Sequence, residues 1–180
     1  MRLSISLLLL SFVCSSLTLF DDLYSLSIND INGTKIELSQ FRGKKIMFVI
    51  LPLFEQDSVI IEGLVNFQKE SKNLIVIGIL SNELGFKPGA EVQIKSMYSV
   101  QRNSSIILTE AMNIRKGSEQ SPLLQWLTNK DKNKIFDNEV RGINYRFFVD
   151  ESGKLFAIIE PEANWKNPVF NKILSRPVVK

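Results

Sequence analysis

The stretch KIMFVILPLFEQDSVIIEGLVNFQKESKNLIVIGIL, residues 45–80, decides the fold of this chain. Its first and last runs, residues 45–53 and 74–80, are apolar without alternation, which is typical of strands covered on both faces of a sheet. Between them, residues 58–71 place apolar side chains at helical spacing. A strand, a helix and a second strand in this order predict a right-handed βαβ unit with parallel strands.

The segments around this unit extend the prediction on both sides. Upstream, residues 23–38 predict two short strands joined by a tight hairpin in which Asn32-Gly33 supplies the positive φ angles. Residues 101–119 show no clear pattern and predict mostly loop. The remaining predicted elements are a helix over 90–100, a helix over 122–128 that begins at Pro122 after the cap Ser121, strands over 145–149 and 154–159, and a closing helix over 169–174. The order predicts one α/β domain with a central mixed sheet flanked by helices and an N-terminal β-hairpin.

Length and charge exclude several classes of protein. A chain of 180 residues can bury one core but is too short for two ordinary domains. The 22 basic and 19 acidic residues are spread along the chain without a block of one sign. We therefore expect no nucleic-acid partner.

The N-terminal segment, residues 1–20, differs from the rest of the chain. Arg2 follows the initiating methionine, residues 3–20 carry no charge, and Asp21-Asp22 close the segment. This pattern predicts a secretory signal peptide cleaved near Ser15-Ser16, which leaves residues 21–180 as an exported domain in the periplasm, the secretory pathway or the medium. Two alternatives remain open: an uncleaved membrane anchor formed by residues 3–20, and lipidation at Cys14.

The cysteine and histidine counts limit the possible chemistry. Cys14 is the only cysteine and the chain has no histidine, so a cleaved chain would have neither. Thiolate nucleophiles, histidine general bases and the usual Cys/His zinc sites are then excluded. We expect no cofactor.

Three motifs, in order along the chain, resemble one known family. The first is residues 30–44, with DING and LSQFRGK; the second is residues 77–85, IGILSNELG, followed by Pro88-Gly89; the third is residues 121–127, SPLLQWL. The chain resembles the glutathione peroxidase family, a branch of the thioredoxin fold, over nearly everything from residue 23 onward. The resemblance implies a thioredoxin-like fold.

Members of that family reduce hydroperoxides with a cysteine or selenocysteine at the start of the first long helix, assisted by a glutamine, a tryptophan and an asparagine. The family's Asn-Val-Ala-Ser-Lys-Cys-Gly falls on residues 50–56, so the nucleophile position is Glu55. The glutamine position is Glu83, and the tryptophan and asparagine positions are Gly142 and Ile143. All four catalytic positions are therefore changed.

A carboxylate does not replace a thiolate in this reaction, because it has no sulfenic state that a reducing thiol can recycle. The substitutions predict an inactive homologue that serves as a binding or structural module for a protein or small-molecule partner that the sequence does not identify. The alternative is that the chain remains a thiol-dependent hydroperoxide reductase, as the resemblance implies.

Glu55 has three possible roles in such a module. In the first, Glu55 and Asp57, with Ser58, cap the helix, since acidic residues near a helix start are stabilised by the helix dipole. The resemblance also implies that Glu55 and Glu83 lie close together, where two carboxylates would share a proton or hold a divalent cation. Finally, Glu55 would preserve the negative charge of the missing thiolate.

Overall fold

The computed structural model describes residues 22–98 and 104–177. Within them the chain forms seven strands and five helices. The strands are β1 Ser27–Asn29, β2 Lys35–Glu37, β3 Lys45–Ile50, β4 Leu74–Ser81, β5 Ile107–Met112, β6 Arg146–Val149 and β7 Leu155–Ile159. The helices are α1 Ser58–Glu70, α2 Glu91–Tyr98, α3 Pro122–Thr128, α4 Lys130–Asn133 and α5 Val169–Leu174.

Five of the strands form one mixed sheet in the order β5-β4-β3-β6-β7. The strands β3, β4 and β5 run parallel, and β6 and β7 are antiparallel to their neighbours. The predicted βαβ unit is confirmed, since β3 pairs with β4 from Lys45↔Leu74 to Ile50↔Ile79 and α1 connects them. The predicted α/β architecture, a central mixed sheet with helices and an N-terminal hairpin, is also confirmed.

The lack of alternation in β3 has a simple structural cause. Ile46, Phe48 and Ile50 belong to one buried cluster together with the apolar side chains of α3. Met47 and Val49 belong to a second cluster, shared with α1, α2 and α5. Because both faces of the sheet are covered, every residue of β3 after Lys45 is buried and apolar.

The N-terminal hairpin contacts the edge strand β5. Strands β1 and β2 pair as predicted, but the turn differs: Gly33 has a positive φ of 82°, and Asn32 does not adopt one. The carboxylate of Asp30 instead organises the turn by accepting hydrogen bonds from the backbone N–H groups of Asn32 and Thr34, each at 2.8 Å. The prediction of positive φ at both turn residues was therefore wrong.

The prediction of loop across residues 101–119 was also wrong in part, because β5 lies within it. β5 is an edge strand of the five-stranded sheet, where its neighbour is β4, and its register shifts at an irregularity opposite Gly78 and Leu80. A strand covered this incompletely has neither a continuous apolar run nor a strict alternation. The predicted C-terminal end of the helix over 90–100, residues 99–100, and the whole N-terminal segment, residues 1–20, lie outside the described residues.

None of the helices in residues 22–98 and 104–177 has the length and apolar character needed to cross a membrane.

Candidate functional site

Glu55 lies at the carboxyl end of β3, where the chain turns into α1. Residues 55–57 form a single 3-10 turn, and α1 begins at Ser58. The Glu55 side chain is exposed and makes no hydrogen bond or ion pair with the residues that the structure describes. Neither the turn nor α1 has a side-chain cap, so the acidic residues act on this helix start only through their charge.

Phe54, just before Glu55, connects this turn to the loop after β4. Its ring is 47 % exposed, yet it lies directly over Gly85, where a Cβ atom would stand 2.5 Å from the ring. Gly85 has a positive φ of 99°. Both observations require glycine at this position, because a side chain would meet the ring and strain the backbone.

Glu83 occupies the 3-10 turn that follows β4, and its carboxylate is fully engaged. It accepts hydrogen bonds from the backbone N–H of Ile114 at 3.0 and 3.1 Å, from the N–H of Arg115 at 3.2 Å and from the hydroxyl of Ser81 at 2.9 Å. Partial burial raises the pKa of Glu83, but these donors outweigh it and hold the pKa below the usual 4.5. Glu83 therefore fastens the segment after β5 to the end of β4.

The hypothesis of a divalent cation between Glu55 and Glu83 stays a prediction. Across residues 22–98 and 104–177 there is no group of three or more Asp, Glu, His or Cys side chains placed to hold a metal ion. A cation at Glu83 would compete with the three donors that this carboxylate already accepts from.

Gly142 and Ile143 lie in the loop that leads into β6. The end of this loop is tied to β3, because the N–H of Asn144 donates to the carbonyl of Ile50 at 2.7 Å and the N–H of Ile50 donates to that of Tyr145 at 3.0 Å. Asn144 has a positive φ of 65°, a conformation that asparagine tolerates better than most residues. Nothing lies within 4 Å of a Cβ atom built on Gly142. The loop thus keeps its position without an aromatic side chain there.

A buried arginine at the start of β6 was not predicted to matter. Arg146 is 0 % exposed, and its guanidinium donates to the carbonyl of Ala163 at 2.8 Å and to that of Glu160. The guanidinium also lies 4.7 Å from the ring centroid of Trp165. Burial lowers the pKa of Arg146 to about 10, against the attraction of Glu162. Arg146 thereby anchors the segment after β7.

The Trp165 ring lies over the Arg146 guanidinium and closely approaches Gly63 in α1. Its ring stacks on Phe170, with centroids 5.3 Å apart, and contacts Phe67 at 5.1 Å. A Cβ atom on Gly63 of α1 would stand 2.2 Å from the indole ring. A glycine inside a predicted helix is a sequence signal for such a close approach, whereas the carbonyl partners of Arg146 leave no local pattern.

A cleft of about 990 Å³ opens between the loop before β6 and the segment after β7. We call it the loop cleft; it is lined by residues 137–139, 141–143, 145 and 160–162, and by Lys116. Gly142 and Ile143 line it, but Glu55 and Glu83 do not. The loop cleft therefore contains two of the four family-equivalent positions.

No family model matches this chain, and no curated protein matches it. Solved structures do share its fold. The structure described as Trgpx in apo form is 17 % identical with a TM-score of 0.61, over 88 % of this chain and 98 % of that one. GPX1 of T. cruzi is 16 % identical with a TM-score of 0.58, over 85 % and 94 %.

A thiol:disulfide interchange protein of the thioredoxin family from Chlorobium tepidum TLS has the same fold, with 18 % identity and a TM-score of 0.52 over 85 % of this chain and 92 % of that one. Identities this low establish the fold and nothing further. The predicted thioredoxin-like fold is confirmed.

Proposed function

We propose that this chain is a divergent relative of the glutathione peroxidases that has lost thiol peroxidase chemistry and acts as a binding module. The observation that carries the proposal is Glu55: an exposed carboxylate stands at the start of α1, where the resemblance implies a thiol or selenol. Oxygen transfer from a peroxide requires a nucleophile with an accessible higher oxidation state, which a carboxylate lacks.

The other family-equivalent positions support this proposal. The Glu83 carboxylate is committed to the backbone of residues 114–115. Gly142 and Ile143 carry no polar side-chain group that would stabilise a developing oxyanion. Cys14, the only thiol of the chain, precedes the described domain. The components of thiol peroxidase catalysis are thus replaced together.

A peroxidase assay tests the proposal. The purified protein is mixed with hydrogen peroxide and either a glutathione or a thioredoxin reducing system, and we expect turnover no higher than in the blank. A Cys14→Ser variant removes the only thiol and should behave identically. A Glu55→Cys variant supplies a thiol at the helix start, where the dipole favours the thiolate, but little activity is expected because the assisting residues are also changed.

One result would overturn the proposal: wild-type turnover that survives in Cys14→Ser and disappears in Glu55→Ala. Such a result would favour the hydroperoxide reductase implied by the resemblance.

Export is the second part of the proposal and rests on residues 1–20 alone. We infer that the signal peptide is removed near Ser15-Ser16 and that the domain from residue 21 onward is exported. The intact mass of the protein recovered from its host measures this directly, since an uncleaved anchor would keep residues 1–14 and a lipidated chain would begin at Cys14 and carry the mass of its acyl groups.

A further inference from the structure

The outer side of β7 has free backbone groups. β7 lies at the edge of the five-stranded sheet, where its neighbour is β6. The N–H of Asp150 donates across the turn to the carbonyl of Lys154 at 2.9 Å. Because alternate residues of a strand direct their backbone groups to the same side, Phe148 also faces β7, where it pairs with Ala157. The next residue, Ile158, therefore directs its N–H and C=O outward, and no backbone group elsewhere in the described part of the chain bonds to them.

The residues of β7 do little to protect this edge. The strand reads LFAII, residues 155–159, without the charged side chains or proline that usually keep edge strands apart. Its last four side chains are half-buried, with Ile158 packed on one core cluster and Phe156 on the other. The irregularity in its pairing with β6 falls before Ala157 and leaves the rest of the strand regular. The opposite edge differs, since β5 carries an exposed Glu110 and is partly covered by the hairpin turn.

Two residues of opposite charge flank β7. Lys154 precedes the strand and Glu160 follows it, and both are exposed. Neither forms an ion pair with a residue that the structure describes, and Arg146 donates to the backbone carbonyl of Glu160 instead of its carboxylate. Six residues of extended chain separate the two charges by about 20 Å, so they cannot pair within one molecule.

A second copy of this chain fits the edge of β7. If two β7 strands pair antiparallel over their full length, the two-fold axis passes through Ala157. This register places Ile158 of each copy opposite Phe156 of the other, so the outward backbone groups meet a strand. It also places Lys154 of each copy opposite Glu160 of the other, at both ends of the pair. Opposite charges directly across a strand pair stabilise it. β7 is thus complementary, in charge and in apolar surface, to an inverted copy of itself.

We propose that two molecules of this protein pair through β7 and join their five-stranded sheets into one continuous sheet. The interface goes beyond the proposed function, because it contains none of the four family-equivalent positions. The dimer presents every binding surface of the chain twice, which strengthens attachment to a partner that carries a repeated target.

Sedimentation velocity of the purified protein tests the proposal. Between about 1 and 100 µM, the range for a dimer of micromolar affinity, the wild type should shift from the mass of one chain to twice that mass. The variant Ile158→Pro removes an N–H that faces outward, so the bonds to β6 are kept while the second strand is blocked. Ile158→Pro should remain monomeric over the same range, and circular dichroism checks that it is folded.

A charge swap tests the register without disturbing the core. Lys154→Glu places like charges opposite each other at both ends of the strand pair, and should weaken dimerisation by about tenfold or more. Lys154→Glu combined with Glu160→Lys restores opposite charges and should recover the affinity of the wild type. Lys69→Glu is the matched control: it makes the same charge change at an exposed residue beside Ser105, near the β5 edge, and should dimerise as the wild type does.

Four results would overturn the proposal. The first is a wild type that stays monomeric throughout the range, and the second is a dimer that persists in folded Ile158→Pro. The third is a loss of affinity in Lys69→Glu as large as that in Lys154→Glu, which would indicate a general effect of net charge. The fourth is a charge swap that fails to recover the affinity lost in Lys154→Glu.

Discussion

Two charged residues near the carboxyl end of β3 have opposite environments. Arg146 pairs across from Val49 near the end of β3, is completely buried and holds two backbone carbonyls. Glu55 follows β3 by five residues and is exposed, and its side chain makes no hydrogen bond or ion pair with the described residues. The comparison shows that the fold at this end depends on buried polar groups and not on the residue at position 55. A substitution at position 55 is therefore expected to cost little stability.

The largest expected effect is at Arg146. Arg146→Ala would leave the carbonyls of Glu160 and Ala163 unpaired and a void beside Trp165, so we expect the free energy of unfolding to fall by about 3–5 kcal/mol. Urea denaturation of the wild type and the variant measures this loss of stability. The exposed Arg141→Ala serves as the control and should change stability by no more than about 0.5 kcal/mol. Equal losses of stability in the two variants would show that the burial of Arg146 does not stabilise the fold.

Glu83 provides an intermediate case, because its carboxylate is only partly buried but accepts from three donors. Glu83→Ala would leave the N–H of the buried Ile114 without its partner, and we expect a loss of about 1–3 kcal/mol at pH 7. Thermal denaturation of both proteins measures it.

The same variant has a defined pH dependence. Since folding lowers the pKa of Glu83, its contribution is complete above the ordinary value of 4.5 and is lost as the pH falls below it. The stability difference between wild type and Glu83→Ala should therefore shrink on acidification below that value. A difference that stayed constant down to pH 3 would contradict the charge-assisted role of this carboxylate.

The smallest expected effect is at Glu55. Glu55→Ala removes an exposed side chain whose only described influence is its charge near the start of α1, so stability should change by at most about 0.5 kcal/mol. The measurement is the midpoint of urea denaturation beside Glu83→Ala. A loss of stability in Glu55→Ala as large as that in Glu83→Ala would show that the Glu55 side chain has a packing role. That result would contradict the comparison between Glu55 and Arg146.

Much of the fold followed from the sequence where one physical pattern dominated. The continuous apolar runs of β3 and β4 and the spacing of α1 gave the βαβ unit within a few residues. β5 escaped prediction because an edge strand with buried Thr109 next to exposed Glu110 follows no single pattern.

The site was less predictable, because its key contacts join distant segments through the backbone. Glu83 is bound by N–H groups about thirty residues away, and any residue there can supply them. Arg146 did leave one signal: it is the lone charge in a strand otherwise buried and apolar. A charged residue in such a run must find partners in the interior, which marks it as an anchor even when those partners cannot be named.

The N-terminal hairpin has a consequence for the behaviour of the protein in concentrated solution. β5 is an open edge of the sheet, and its free N–H and C=O groups would pair with a strand of another molecule. The turn of the hairpin occupies part of that edge, since Asp30 bridges to Thr109 and the N–H of Ile31 donates to the carbonyl of Leu108. The hairpin turn thus leaves less of the β5 edge open to pairing with a strand of another molecule.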